Sequence, residues 1–132
     1  MAAKPEVSLV IPVYNEEDNL KVLWARIRPV MDNLKKGYEI IFIDDGSRDG
    51  SLAILKSFSN EPHVRVLELT RNYGQHAAIL AGFSLVRGEI VITLDADLQN
   101  PPVEIPKLVR VMEEGGYDVV GTIRKGRKDS LF

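Results

Sequence analysis

Hydrophobic positions along this chain follow two alternating rhythms. Short, nearly unbroken apolar runs rich in β-branched residues read as buried strands: Val7-Ser-Leu-Val-Ile-Pro-Val13, Glu39-Ile-Ile-Phe-Ile43, Val64-Arg-Val-Leu-Glu-Leu69, Glu89-Ile-Val-Ile-Thr-Leu94 and Tyr117-Asp-Val-Val-Gly121. Between them, apolar residues recur every three or four positions, the period of a helix with one buried face. Leu20, Leu23, Ile27, Val30 and Leu34 form the first such face, with Asn15 as its expected cap, Asp18 completing a capping-box-like start, and Pro29 expected to kink or end it. Trp24 is assigned to packing within this face. Leu52, Leu55 and Phe58 mark a second, shorter helix, and Ala77 to Val86 a third with Gly88 just beyond its end. Pro101-Pro102 opens a fourth, carrying Ile105, Leu108, Val109 and Met112 and closed by Gly115-Gly116. Strands alternating with helices predict an α/β fold: a doubly wound, mostly parallel sheet with helices on both faces.

Composition adds mostly exclusions. A chain of 132 residues fits one domain, and 45% apolar with 27% charged residues is ordinary for a globular protein. A net charge of −2 offers no basic field for nucleic acid. The one basic tract, Arg124-Lys-Gly-Arg-Lys128, is short and suits either a solvated end or a phosphate contact. With no cysteine, disulfides and thiolate metal sites are excluded. No signal-peptide core is seen, and no apolar stretch approaches the roughly 20 residues that span a bilayer, so the chain reads as soluble.

Candidate chemistry collects where open α/β sheets bind ligands, at the carboxyl ends of the strands. Those positions read Pro12-Val-Tyr-Asn-Glu-Glu17, Asp44-Asp-Gly-Ser-Arg-Asp49, Arg71-Asn-Tyr-Gly-Gln-His76, Asp95-Ala-Asp-Leu-Gln99 and Gly121-Thr-Ile-Arg124. In an extended segment Asp95 and Asp97 share a side and can converge on one hard divalent cation, Mg²⁺ or Mn²⁺, whose other positions go to water and substrate phosphates. Neither a dinucleotide-binding glycine pattern nor a P-loop is present. A nucleotide would instead be held by stacking on Tyr14, by carboxylates such as Asp45, and by a metal on the Asp pair. Asp44 suits a turn-capping role as well as a binding one. His76 reads as a structural contact at a helix start, and His63 receives no role.

The set Pro-Val-Tyr-Asn-Glu, Asp-Asp-Gly-Ser-x-Asp, Arg-Asn-x-Gly and Asp-x-Asp-x-Gln-x-Pro-Pro-Glu resembles the family 2 glycosyltransferases of GT-A fold. Arg-Asn-Tyr-Gly-Gln-His, Leu-Asp-Ala-Asp-Leu-Gln-Asn-Pro-Pro and the closing Lys-Asp-Ser-Leu-Phe resemble, more narrowly, the polyprenyl-phosphate glycosyltransferases. The resemblance runs from Val7 to Phe132. It implies an inverting transfer of a sugar from a nucleotide-sugar donor, UDP-linked by preference, to a polyprenyl phosphate. It places Pro12, Tyr14, Glu16, Asp44, Asp45, Arg71, Asp95 and Ala96 around the nucleotide, and Asp95, Asp97 and Gln99 at the metal. Asp97, Arg124 and Arg127 take the catalytic roles, the two arginines steering the acceptor phosphate. A lipid phosphate has a second pKa near 6 and needs no general base. Asp129-Ser-Leu-Phe132 reads as a cut, which makes residues 1–132 the nucleotide-sugar-binding part of a longer domain. Membrane-attaching segments would then lie beyond Phe132, and the full-length protein would sit on the cytoplasmic side of the bacterial inner membrane.

Other classes account for less. A nucleotide-sugar-binding module without turnover fits the same residues. A phospho-receiver domain wants an acidic pair after its first strand, where this chain has Pro-Val-Tyr-Asn. A nucleotidyltransferase wants a glycine-rich first loop, which is lacking.

Overall fold

The computed structural model describes residues 4–115. Four of the five apolar runs form strands: β1 (Val7–Val13), β2 (Tyr38–Asp44), β3 (Val64–Glu68) and β4 (Ile90–Thr93). The fifth, Tyr117 to Gly121, lies outside the described residues, as do Gly116, Arg124 and Arg127. Helices α1 (Leu20–Asp32), α2 (Ser51–Phe58), α3 (Gln75–Phe83) and α4 (Ile105–Gly115) alternate with the strands, α4 being preceded by a 3₁₀ turn over Pro102–Glu104. All pairings are parallel and the order is β3-β2-β1-β4. The α/β fold is therefore as expected from the sequence.

The side-chain alternation of the strands divides the core. Leu9, Ile11, Ile40, Phe42 and Ile92 face one way and pack with Leu20, Leu23, Ile27 and Met31 of α1, Leu55 and Phe58 of α2, and Ile105 and Val109 of α4. Trp24 closes this layer, stacked on Phe58 at 4.9 Å between ring centroids. Val10, Ile41 and Ile43 face the other way and meet Ala78 of α3. Here the helix lies unusually close to the sheet: a Cβ on Gly82 would stand 2.6 Å from Val10 Cγ1 and 2.7 Å from Ile43 Cδ1. On the same face a buried carboxylate, Glu39, ties three strands together. It accepts from Ser8 Oγ, from the Arg87 N–H at 2.7 Å and from Arg65 Nη2 at 2.6 Å. Burial alone would raise the Glu39 carboxyl, but the Ser8, Arg87 and Arg65 donors outweigh it and hold it below the ordinary carboxylate range.

Helix boundaries differ from expectation at three places, each for a local reason. Asn15 does not cap α1. Its backbone sits at φ 52°, its N–H donates to Ser47 Oγ and its Oδ1 accepts from the Arg48 N–H, so the helix begins only at Leu20 with Asn19 as cap residue. Pro29 does not end the helix, which runs on to Asp32. Pro29 and Ala25, whose carbonyl loses its helical donor, both lie on the exposed side of the helix, where an unpaired carbonyl costs least. Helix α3 stops at Phe83, well before Gly88. Gly88 is needed elsewhere: its N–H donates to Ser8 Oγ, and a Cβ there would lie 2.7 Å from that oxygen.

The chain lays β1, β2 and β3 outward in one direction and returns to place β4 on the far side of β1. The loops leaving β1 and β4 thus lie side by side at the carboxyl ends of the strands, where open α/β sheets bind ligands. Among the described residues no helix is long and apolar enough to cross a membrane.

Candidate functional site

A cleft of about 260 Å³ at the carboxyl ends of the strands is lined by Pro12 and Val13 at the end of β1, Tyr14 and Glu16 after it, Asp45 after β2, Asn72 and Gly74 before α3, Gln75 at its first position, and Asp95, Ala96 and Asp97 after β4. Seven of these residues are expected at the site from the sequence: Pro12, Tyr14, Glu16, Asp45, Asp95, Ala96 and Asp97.

The β1 wall is held by the loop after β2. The Glu16 N–H donates to Ser51 Oγ at 2.8 Å, the Glu17 N–H to Asp49 Oδ2 at 3.2 Å, and the Gly50 N–H to Glu17 Oε2 at 2.7 Å. This lacing presents Tyr14, 43% exposed, as an open aromatic surface in the cleft. The Glu16 carboxyl is raised above its ordinary value by burial, opposed by the Asn19 amide and reinforced by the negative charges of Asp97, Asp49 and Asp95. The cleft thus carries a negative field of its own. Four carboxylates line it and, among the described residues, no lysine or arginine does.

Asp45 is almost entirely buried, and its carboxylate is already engaged. Oδ1 accepts the Tyr73 N–H at 2.8 Å, while Oδ2 accepts the Gly74 N–H at 3.0 Å and the Asn72 side-chain amide at 3.1 Å. A carboxylate has about four acceptor sites, so roughly one remains, on Oδ1. The expected base contact therefore has room, but the residue's main visible work is to anchor the loop from Asn72 to Gly74. Gly46 lets that loop come close: at φ 71° a Cβ there would stand 2.4 Å from the Arg71 carbonyl carbon.

Asp95 and Asp97 reach the cleft by a different path from the one expected. Strand β4 ends at Thr93, and the chain turns at Ala96-Asp97 with Leu98 at φ 67°, so the pair spans a strand end and a turn instead of one extended segment. Asp95 Oδ1 accepts from Gln75 Nε2 at 2.8 Å, and Asp97 Oδ1 from the Gln99 N–H at 3.1 Å. Gln99 meets Asp97 through its backbone N–H and stands outside the lining. Ala96 is buried in the core layer of α1 and α4. Among the described residues no cluster of three or more His, Cys, Asp or Glu side chains is arranged to hold a metal. Two carboxylates on an open cleft fit Mg²⁺ or Mn²⁺ that takes its remaining ligands from substrate and water, not an all-protein cage.

Besides Gln99, two expected residues stand outside the lining. Asp44 is buried, and its Oδ2 accepts the Ser47 N–H at 3.2 Å, closing the turn after β2. Arg71 is exposed, with its guanidinium 4.9 Å over the Tyr73 ring. The Thr70 hydroxyl contact, followed by that cation, holds the Tyr73 phenol below its ordinary pKa. His76 is exposed at the second position of α3 and lines nothing. Conversely, Asn72, Gly74 and Gln75 line the cleft although no sequence feature assigns them there singly. The Arg-Asn-x-Gly pattern marks their loop, but its conspicuous charge is the arginine, not the residues that face the cleft.

The chain matches the model of glycosyl transferase family 2 over residues 8–132. It is 57% identical over 129 residues to the undecaprenyl-phosphate 4-deoxy-4-formamido-L-arabinose transferase of Yersinia enterocolitica, covering 96% of this chain and 39% of that protein. Among solved structures, TarS of S. aureus (residues 1–349) superposes with TM-score 0.70 at 20% identity, over 96% of this chain and 39% of TarS. The mannosyltransferase PcManGT of Pyrobaculum calidifontis, solved with GDP-Man and Mn²⁺, gives 0.64 at 22% identity over 85% and 33%. These structural likenesses establish the GT-A fold, and the chain spans about two fifths of the length of the curated relative. Motifs, sheet topology and the match over nearly the whole chain agree that this protein belongs to glycosyl transferase family 2.

Proposed function

We propose that the cleft is the donor site of an inverting glycosyltransferase that moves a sugar from a nucleotide sugar, UDP-linked, to a polyprenyl phosphate. The observation that carries this reading is the cleft's lining: an exposed aromatic, four carboxylates and, among the described residues, no lysine or arginine. A diphosphate entering that field alone is repelled by like charge, and a cation reverses the sign. Tyr14 offers a stacking surface worth about 0.5–1.5 kcal/mol. The remaining acceptor site on Asp45 takes a base N–H. Asp95 and Asp97 hold Mg²⁺ or Mn²⁺, which when bound neutralises charge on the departing nucleoside diphosphate. Asp97 owes its orientation to the Gln99 N–H.

Support for the donor comes from the likeness to TarS, solved also with UDP-GlcNAc, and to PcManGT with GDP-Man and Mn²⁺. Support for the acceptor is the 57% identity to an undecaprenyl-phosphate transferase. The acceptor phosphate is itself nucleophilic near neutral pH, so the cleft needs no general base. Arg124 and Arg127 remain the proposed groups that bring the two anions together, and membrane attachment on the cytoplasmic side belongs to the protein as a whole.

Amide chemical-shift mapping of UDP and GDP in the presence of Mg²⁺ tests this reading. Shifts concentrated at Tyr14, Gly74, Asp95 and Asp97, larger for UDP, are expected. Absence of shifts with either nucleotide, or shifts mapping to another surface, would overturn it.

A further inference from the structure

Residues 72–75, which carry no charge, form a continuous tie across the cleft floor. At one end, Asp45 receives three donors from Asn72, Tyr73 and Gly74, and its own carbonyl receives the Asn72 amide at 3.2 Å. At the other, Gln75 gives its side-chain amide to Asp95. Gly74 and Gln75 are adjacent, so only one peptide unit and the Gln75 side chain separate the two anchors. Gly74 sits at φ 102°, and a Cβ added there would meet nothing within 4 Å, so it is the backbone conformation, not crowding, that calls for glycine. The strap is short, bonded at both ends and held in a conformation only glycine adopts readily.

We infer that residues 72–75 couple the two halves of the donor site, so that filling the base end strengthens cation binding at Asp95 and Asp97, and the reverse. This rests on the reading of the cleft as a nucleotide and cation site. A base N–H on the last acceptor position of Asp45 fixes the carboxylate that holds the strap. A fixed strap holds Gln75, and Gln75 orients the Asp95 carboxylate, as outer-shell donors orient metal ligands. Whichever ligand arrives first meets the cost of ordering the strap, and the second does not. Gln75 and Asn72 are thus positioning residues: they act through Asp95 and Asp45.

The probe must have no route to the cation except through the protein. 2′,3′,5′-Trideoxyuridine serves, since it lacks phosphates and all three ribose hydroxyls. Its affinity is measured by NMR titration with and without Mg²⁺, and the Mg²⁺ affinity is measured with and without the nucleoside. Linkage requires the two enhancement factors to be equal, and at least about fivefold is expected, the low end for coupled sites. Gln75→Ala and Gly74→Ala should bring the factor to about one, while His76→Ala, an exposed neighbour outside the cleft, should keep it. Thermal melting of each variant checks that the fold persists, and hydrogen exchange of the Tyr73 and Gly74 amides reports the strap itself without any ligand. A factor of one in the parent, with UDP and Mg²⁺ binding normally, would overturn the coupling and leave the donor site standing. A factor that survives Gln75→Ala would overturn the strap as its route. Failure of UDP to bind with Mg²⁺ would instead sink the underlying reading.

Discussion

Replacing Gly46 by alanine tests how tightly two loops from different strands must approach to shape the cleft. Gly46 sits at φ 71°, where a side chain costs about 1–2 kcal/mol. The added methyl would also stand 2.4 Å from the Arg71 carbonyl carbon and 2.5 Å from the Asn72 nitrogen. Both obstacles are backbone, so relief requires the loop to move, and overpacking of this kind costs about 1–3 kcal/mol. Together these give about 2–5 kcal/mol. At roughly 3–5 °C per kcal/mol for a chain of this size, the melting temperature should fall by roughly 6–25 °C. Since the loop that moves carries the Asn72, Tyr73 and Gly74 donors to Asp45, nucleotide affinity should fall with it. Differential scanning calorimetry of Gly46→Ala beside Gly37→Ala gives the comparison. A Cβ at Gly37 meets nothing nearer than 3.6 Å, and that variant should melt within about 2 °C of the parent. If Gly46→Ala melted as the parent does, the close approach of the two loops would not be what the backbone requires there.

Three further outcomes follow from the same contacts. Glu39 titrates below its ordinary value of 4.5 in the folded chain, so its contribution is present above that pH and is lost as pH falls through the lowered value; urea unfolding from pH 7 to 3 should show this acid-side slope flattened in Glu39→Gln. Gly82→Leu should destabilise by about 1–3 kcal/mol in urea unfolding, because even its Cβ would stand 2.6 Å from Val10 Cγ1 and 2.7 Å from Ile43 Cδ1 and must push α3 off the sheet. Tyr14→Ala should weaken uridine, with no phosphate present, by about 0.5–1.5 kcal/mol in NMR titration, and equal affinity would misplace the base pocket.

Strands β1 and β2 were legible because each is a short apolar run buried on both faces. Strands β3 and β4, only partly buried at the ends of the described sheet order, were legible because they keep enough β-branched residues to show the same pattern. The doubly wound order followed from alternation with helices. What escaped was decided between segments far apart in sequence. Asn15 looks like a cap locally, but Ser47 and Arg48 claim its backbone and side chain. Asp45 looks like a ligand, yet three of its acceptor positions serve residues 27 to 29 positions away. Asn72, Gly74 and Gln75 carry no charge and no chemistry of their own, so only the geometry shows that they form a wall. Arg71 is conspicuous in sequence and stands outside that wall, over Tyr73.

The central claim is that an acidic cleft accepts a diphosphate only with a cation. Calorimetric titration of UDP into the chain, in Mn²⁺ and in EDTA, for the parent and Asp97→Asn, tests it most directly. The account predicts that Mn²⁺ tightens binding to the parent at least about tenfold, some 1.4 kcal/mol, and that Asp97→Asn loses this gain with metal-free binding little changed. Binding as tight in EDTA as in Mn²⁺, or equal loss in Asp97→Asn under both conditions, would contradict it and make Asp97 a direct nucleotide contact or a folding residue.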